Sequence, residues 1–316
     1  MFPFSGSNAT AVRGSTRIFT SWLVLATFFV VRLHATEYGT SAYPAGVETV
    51  LPGLAPPPGV TMFETFSNFY QSNQLADAQG HSLVPGFHLR VGAVAVKVVH
   101  NWGVHFLGGS LVSTAALPFL YEHLNTPFGA ASKSGFGNPD IGVVSVAYQR
   151  KAWHWWYGMD VYTPSFSYNK NDILNVGQHN FAIVPDGAFT YLSEKGRTEL
   201  SSRFQYIVNY ANPVTNYRSG HEFIWEYDGM RHIAGAVSAG ANGYLYLQTT
   251  DDLQSGLVAG NGNRGRVFAI GPEVRAHLKH YALILKYQKE MLAQNKTVGN
   301  SFWFELGVPL GHPKRD

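Results

Sequence analysis

Through the second half of the chain, apolar and polar positions alternate. In "TELSSRFQYIVNY", Leu200, Phe204, Tyr206, Val208 and Tyr210 share one parity, and Glu199, Ser201, Arg203, Gln205 and Asn209 share the other. "RSGHEFIWEYD" repeats the division, with His221, Phe223, Trp225 and Tyr227 opposite Arg218, Gly220, Glu222 and Glu226. "RVFAIGPEVRAHLK" sets Phe268, Ile270, Val274 and Leu278 against Glu273, Arg275, His277 and Lys279, and "SFWFELGV" groups Phe302, Phe304, Leu306 and Val308. A period of two puts each set on one face of a sheet. Read along the whole chain, it predicts twelve strands: 60–71, 83–98, 103–120, 139–150, 153–163, 179–192, 197–210, 216–227, 236–249, 265–277, 280–291 and 300–310. "KHYALILKYQKEML" has helix-forming residues as well, but Leu283, Leu285 and Tyr287 alternate with Lys286, Gln288 and Glu290, which favours a strand.

The joins alternate too. Polar or glycine-rich stretches such as "QSNQLADAQGH", "EHLNTPFGAASKSGFGN", "PSFSYNKNDILNVG" and "TTDDLQSGLVAGNGNRG" follow odd-numbered strands, whereas "HNWG", "RKAW" and "SEKGR" are short. Long loops on one rim, short turns on the other and an even count are the pattern of an outer-membrane barrel. Aromatic residues crowd the apolar faces, as a lipid interface wants, and the opposite faces carry full charges of both signs, which a dry core excludes. No water reaches backbone amides in hydrocarbon, so such a sheet must close on itself. The expected fold is an all-β, antiparallel transmembrane β-barrel of about 12 strands within 60–316. Residues 36–59 precede it as an extension in the periplasm or the lumen.

Composition agrees: 33 Gly, 17 Tyr and 21 Phe suit strands and turns better than surface helices. With no cysteine, disulfides, thiolate chemistry and Cys-bound zinc are excluded. The first 35 residues read as a secretory signal, with Arg13 and Arg17, an apolar run from Phe19 to Val31, and "LHA" before a cleavage site at Ala35. That run is too short to span a bilayer, and the arginines are not paired, which points to the general secretory route. Removing this segment takes away Arg13, Arg17 and Arg32 and leaves 20 basic and 20 acidic side chains, a net charge of zero. No basic cluster remains for a nucleic acid.

Few motifs carry chemistry. "GNGNRG", Gly260 to Gly265, has dinucleotide-fingerprint spacing but follows a loop and precedes a strand, so it reads as a rim loop. His100 and His105 lie five apart, on opposite faces of a strand, and no His-Glu-x-x-His run occurs; neither metal nor cofactor is expected. The candidate site is the inward-facing charge set Arg90, Asp160, Glu199, Arg203, Arg218, Glu222, Glu226, Glu273, Arg275, Lys286 and Glu305. In a water-filled pore these set ion preference. Alternatively they pair across strands and stiffen or plug the barrel, each exposed pair contributing about 0–1 kcal/mol.

Several stretches together resemble a known family: "EYGTSAYPAG" followed by "APPPG", then "GFGNPDIG", "VYTPSFSYN", "NYANPVTNYRSG", "GANGYLYLQTTDD" and "RVFAIGPEV". In order and spacing the chain is similar to the outer-membrane proteins associated with the meta-pathway of phenol degradation, described as transporters. The resemblance implies a Gram-negative outer-membrane barrel that passes small hydrophobic or aromatic compounds. Its partners would be outer-membrane lipids, the barrel-assembly machinery and a small solute. Two departures stand out. The chain ends "GVPLGHPKRD" without a terminal aromatic residue, and Thr163-Pro164-Ser165 replaces the usual Pro-Thr-Gly. The resulting expectation is a passive channel rather than an enzyme. One alternative is an outer-membrane lipase, whose His-x-Ser-Asn-Gly run is missing here; the other is a closed structural or adhesive barrel.

Overall fold

Twelve antiparallel strands close into a barrel: β1 (Thr61–Leu75), β2 (His88–Phe106), β3 (Gly109–Thr126), β4 (Asp140–Arg150), β5 (Trp153–Tyr162), β6 (Ala182–Leu192), β7 (Thr198–Asn209), β8 (Glu222–Ala234), β9 (Val237–Gln248), β10 (Arg266–Leu278), β11 (Tyr281–Gln294) and β12 (Thr297–Leu310). Each pairs with the next, and β1 pairs with β12 from Thr61↔Leu310 to Leu75↔Thr297, so no edge is left open. The computed structural model describes residues 40–311 apart from 194, 196, 279 and 280. The expected signal segment, residues 1–35, lies outside the described residues.

Alternation sets what each face meets. On β7, Glu199, Ser201, Arg203, Gln205, Ile207 and Asn209 are buried while Leu200 and Phe204 are exposed; on β8, Glu222, Ile224, Glu226 and Asp228 are buried while Trp225 is exposed. Exposed Phe69, Phe119, Tyr157, Phe302 and Phe304 continue the outer face around the barrel. Rings there stack across strands, Phe204 with Trp225 at 6.2 Å and Tyr227 with Phe268 at 6.3 Å. An outward face of aromatic and aliphatic residues is matched to lipid. Replacing Phe204, midway along β7, by arginine should therefore cost about 2–4 kcal/mol in urea unfolding from liposomes, whereas Phe204→Leu should cost far less.

The structure corrects four boundaries. "HNWG" is not a turn. His100–Gly103 lies inside β2, where Asn101 exchanges hydrogen bonds with the chain entering β1 (Gly59 N to Asn101 O 2.8 Å, Asn101 N to Val60 O 3.2 Å). The extra residues are absorbed by a register shift between Asn101 and His105, with Gly103 at φ +66°, and the tight turn falls at Leu107–Gly108. "EHLNTPFGAASKSGFGN" is not a loose loop either. β3 continues to Thr126 and returns as a short strand, Gly129–Phe136, paired from Phe119↔Phe136 to Thr126↔Gly129. Beyond the membrane, polar alternation can still pair backbone, and polarity alone had hidden it. Residues 216–221 do not enter the barrel. Tyr217–Arg218 pairs with Leu253–Gln254, which pairs with Leu257–Val258, a separate three-stranded sheet in the long loops. The last strand begins at Thr297, with only Asn295 and Lys296 joining it to β11. Residues 281–291 of the expected 280–291 stretch are strand, and Gly260–Gly265 is loop before β10.

The lumen and the segment that fills it

Between Thr40 and Val60 the chain runs inside the barrel, held by side chains from strands around the wall. At the long-loop end, Gln178 donates to Thr40 O (3.0 Å) and Ser41 Oγ donates to Glu222 (2.5 Å). Deeper, Glu226 accepts from Gly46 N (2.6 Å), Glu48 N (3.3 Å) and the Tyr43 hydroxyl (2.8 Å). Three strands further round, Lys286 donates to Gly46 O (3.0 Å), Val47 O (2.7 Å) and Thr49 Oγ1 (3.1 Å) while pairing with Glu305 at 2.5 Å. Toward the short-turn end, Leu51 N donates to Glu199 (3.0 Å), Trp156 Nε1 to Pro52 O (2.5 Å), Gly53 N to Thr190 Oγ1 (3.0 Å) and Asn101 to Pro56 O (2.8 Å).

The segment has no periodicity, yet its sequence fits this path. Gly46 sits at φ +92°, and a Cβ there would lie 2.4 Å from Gln288 Oε1 and 2.7 Å from Tyr244. A Cβ on Gly53 would lie 2.4 Å from the Thr190 backbone nitrogen. Glycine alone allows the chain so close to β6, β9 and β11.

One arginine organises the centre. Arg203 pairs through Nη1 with Glu48 (2.7 Å) and through Nη2 with Asp186 (2.7 Å) and Asp160 (3.4 Å). Nη1 also donates to the Tyr43 hydroxyl (3.1 Å), and the guanidinium lies 5.3 Å from the Tyr43 ring and 5.7 Å from Trp156. Lys97 reaches Glu48 from β2 at 2.6 Å. Burial by itself would raise the Glu48 carboxyl, but the Arg203 and Lys97 charges outweigh it and hold it at about 2. A carboxyl depressed from 4.5 in this way stabilises the folded state above its ordinary value, and the effect is lost only as pH falls through about 2. The plug therefore keeps this contact through neutral and mildly acid conditions.

Of the eleven residues picked from sequence, nine are buried on the inner face: Asp160, Glu199, Arg203, Glu222, Glu226, Glu273, Arg275, Lys286 and Glu305. They form local groups: Arg203 with Asp160, Lys286 with Glu305, and Arg275 with Glu199 at 2.5 Å. The other two are misplaced. Arg218 belongs to the loop sheet, and Arg90 has the outward parity of exposed Val94, Val96 and Val98. It was ambiguous in sequence because both faces of β2 are apolar, and it lies at the long-loop end, where a charge leaves the lipid layer. Sequence reading missed Lys97, Asp186, Asp228 and Glu290, all buried. A single charge in an apolar run, as in "AVAVKVVH" and "AIVPDGAF", was the signal available. It also missed Glu48, which has no strand to give it a face.

Below the plug lies a cavity of about 600 Å³. It extends from Met62, Leu278, Tyr281 and Pro309 at the short-turn end to Glu48, Lys97 and Arg203 mid-barrel, and its lining is mostly apolar, including Val47, Leu51, Phe66, Val99 and Trp156.

The sequence pattern of the family described as "Putative MetA-pathway of phenol degradation" matches residues 72–306. The chain belongs to that family. Among solved structures, this member of the phenol-degradation family is similar to an outer membrane channel from Pseudomonas putida F1, with TM-score 0.70 and 14% identity over 81% of this chain and 97% of that one. It is also similar to the β domain of a Bordetella autotransporter, with TM-score 0.50 and 13% identity over 80% of this chain and 100% of that one. At these identities the likeness is one of fold. No curated protein matches the sequence.

Proposed function

We propose that the protein is a passive channel of the Gram-negative outer membrane for small solutes with an apolar or aromatic body. The mostly apolar cavity of about 600 Å³ inside a closed barrel carries this reading; a hydrophilic pore would be lined by polar and charged side chains and water. Its size lies in the range of small-molecule sites. The family and the fold of the Pseudomonas channel support it. The plug sets a closed resting state, so passage requires it to shift. Export by the general secretory route and insertion by the barrel-assembly machinery belong to the same reading, as does the absence of catalysis. The Ser/Thr–His contacts among the described residues, His123–Ser132 at 2.7 Å and His100–Thr61 at 2.8 Å, join cross-strand neighbours, the first in the hairpin that continues β3 and the second on the wall.

Liposome swelling tests the channel. Proteoliposomes should admit small aromatic solutes faster than sugars of equal mass. Swelling no faster than in protein-free liposomes, both for this protein and for a variant lacking the plug, would leave a closed structural barrel.

A further inference from the structure

Glu48 is held as a bound carboxylate is held. Each oxygen meets its own cation, Oε2 meeting Arg203 at 2.7 Å and Oε1 meeting Lys97 at 2.6 Å, and the two cations come from strands well separated around the wall. The wall fixes the arginine independently of Glu48, since Nη2 stays on Asp186 at 2.7 Å with Trp156 beside the guanidinium. A clamp built on rigid strands persists when its occupant moves. That occupant belongs to the plug, and the cavity lies directly against the clamp: Glu48, Lys97 and Arg203 line it together with apolar Phe66 and Trp156.

Charge decides what can replace Glu48. A neutral apolar solute entering from the cavity would take Glu48 away from Lys97 and Arg203 Nη1 and leave two cations with one wall carboxyl, Glu64, the cross-strand partner of Lys97, in a low-dielectric space; breaking buried pairs in that way is strongly unfavourable. A solute with its own carboxylate exchanges one anion for another, and its body fills the apolar cavity. We propose that Arg203 and Lys97 are the carboxylate-binding site of the lumen, occupied at rest by plug residue Glu48 and taken over by a small acid with an apolar body, an aromatic monocarboxylate being of fitting size. The proposal rests on the channel reading and narrows its solute.

The test is binding and chemical rescue on the full-length barrel in detergent, with sodium benzoate as probe and benzyl alcohol and sodium chloride as controls at matched ionic strength. Glu48→Ala should lower the melting temperature. Benzoate should restore it in a dose-dependent way, and by calorimetry should bind the variant about tenfold or more tightly than the unaltered protein, because the internal competitor is gone. Adding Lys97→Met should weaken that binding. Where Glu48→Ala does not fold, Glu48→Gln carries the same comparison with its shape kept. Rescue by benzyl alcohol or chloride equal to that by benzoate overturns the proposal, as does the absence of benzoate binding. If liposomes still swell in that case, the channel reading survives alone. If benzoate binds and no solute passes, the site stands and the channel reading falls.

Discussion

Deleting residues 40–57 will raise the single-channel conductance of the reconstituted barrel by about an order of magnitude. Twelve strands enclose more space than their inward side chains fill: eight-stranded barrels are just filled, and those of sixteen or more leave an aqueous channel. Here the surplus is taken up by the plug, whose backbone is hydrogen-bonded to Glu226, Lys286, Glu199 and Thr190, on strands that span half of the wall from β6 to β11. Without it those groups face water, which satisfies them, so the wall should stay folded and the heat-resistant band on a gel should remain. Gly46→Val gives a finer version. With φ at +92° and Gln288 and Tyr244 within 2.7 Å of any Cβ, the valine must push the segment off β9 and β11. Conductance in planar bilayers should rise by less than in the deletion and fluctuate between levels. A deletion that folds and conducts no more than the intact barrel would show that the wall itself is closed.

Arg203→Met should destabilise the barrel by about 3–5 kcal/mol, the largest loss expected of any single wall residue. Arg203 is almost wholly buried and takes up Glu48, Asp186 and Asp160 at once. Removing it leaves three carboxylates around a hole, two of them on adjacent strands, so the loss exceeds that of one exposed pair by several-fold. Reversible urea unfolding, followed by tryptophan fluorescence, measures it. Arg203→Met with Asp186→Asn should recover part of the loss, since one of the orphaned charges is gone; additive losses would mean that the two side chains do not act as a pair. Arg203→Lys should fall between, because an ammonium cannot serve Glu48 and Asp186 through opposite ends of a planar fork.

Which way a strand faces and where lipid lies were legible in the residues themselves. In β7, β8, β10, β11 and β12 the aromatic parity is the outer face, and Glu199, Arg203, Glu226, Glu273 and Lys286 are buried within. Alternation is a property of neighbours in the chain, so it survives whatever the strand pairs with. It fails where neighbours cease to decide. Bulges at Asn101–His105 and at Val112–Thr114 shift the partners, and parity read from one side of a bulge does not carry to the other. Arg218 carries strand-like alternation but pairs with Leu253, thirty-five residues on, in the loop sheet. In β2 both parities are apolar, so only burial of Lys97 tells which faces in.

By itself the amino-acid order determined an even-numbered, closed barrel with aromatics outward and charge inward, because period, turn polarity and the cost of unpaired amides in hydrocarbon are local or general constraints. The tertiary structure decided that the inside is occupied. Residues 40–60 have no repeat, and the contacts that place them, such as Gly46 with Glu226 and Val47 with Lys286, join positions 180 and 239 apart. Such contacts exist only once the ring has closed, when buried charges on the wall find in that segment the hydrogen bonds that lipid and an empty lumen cannot supply.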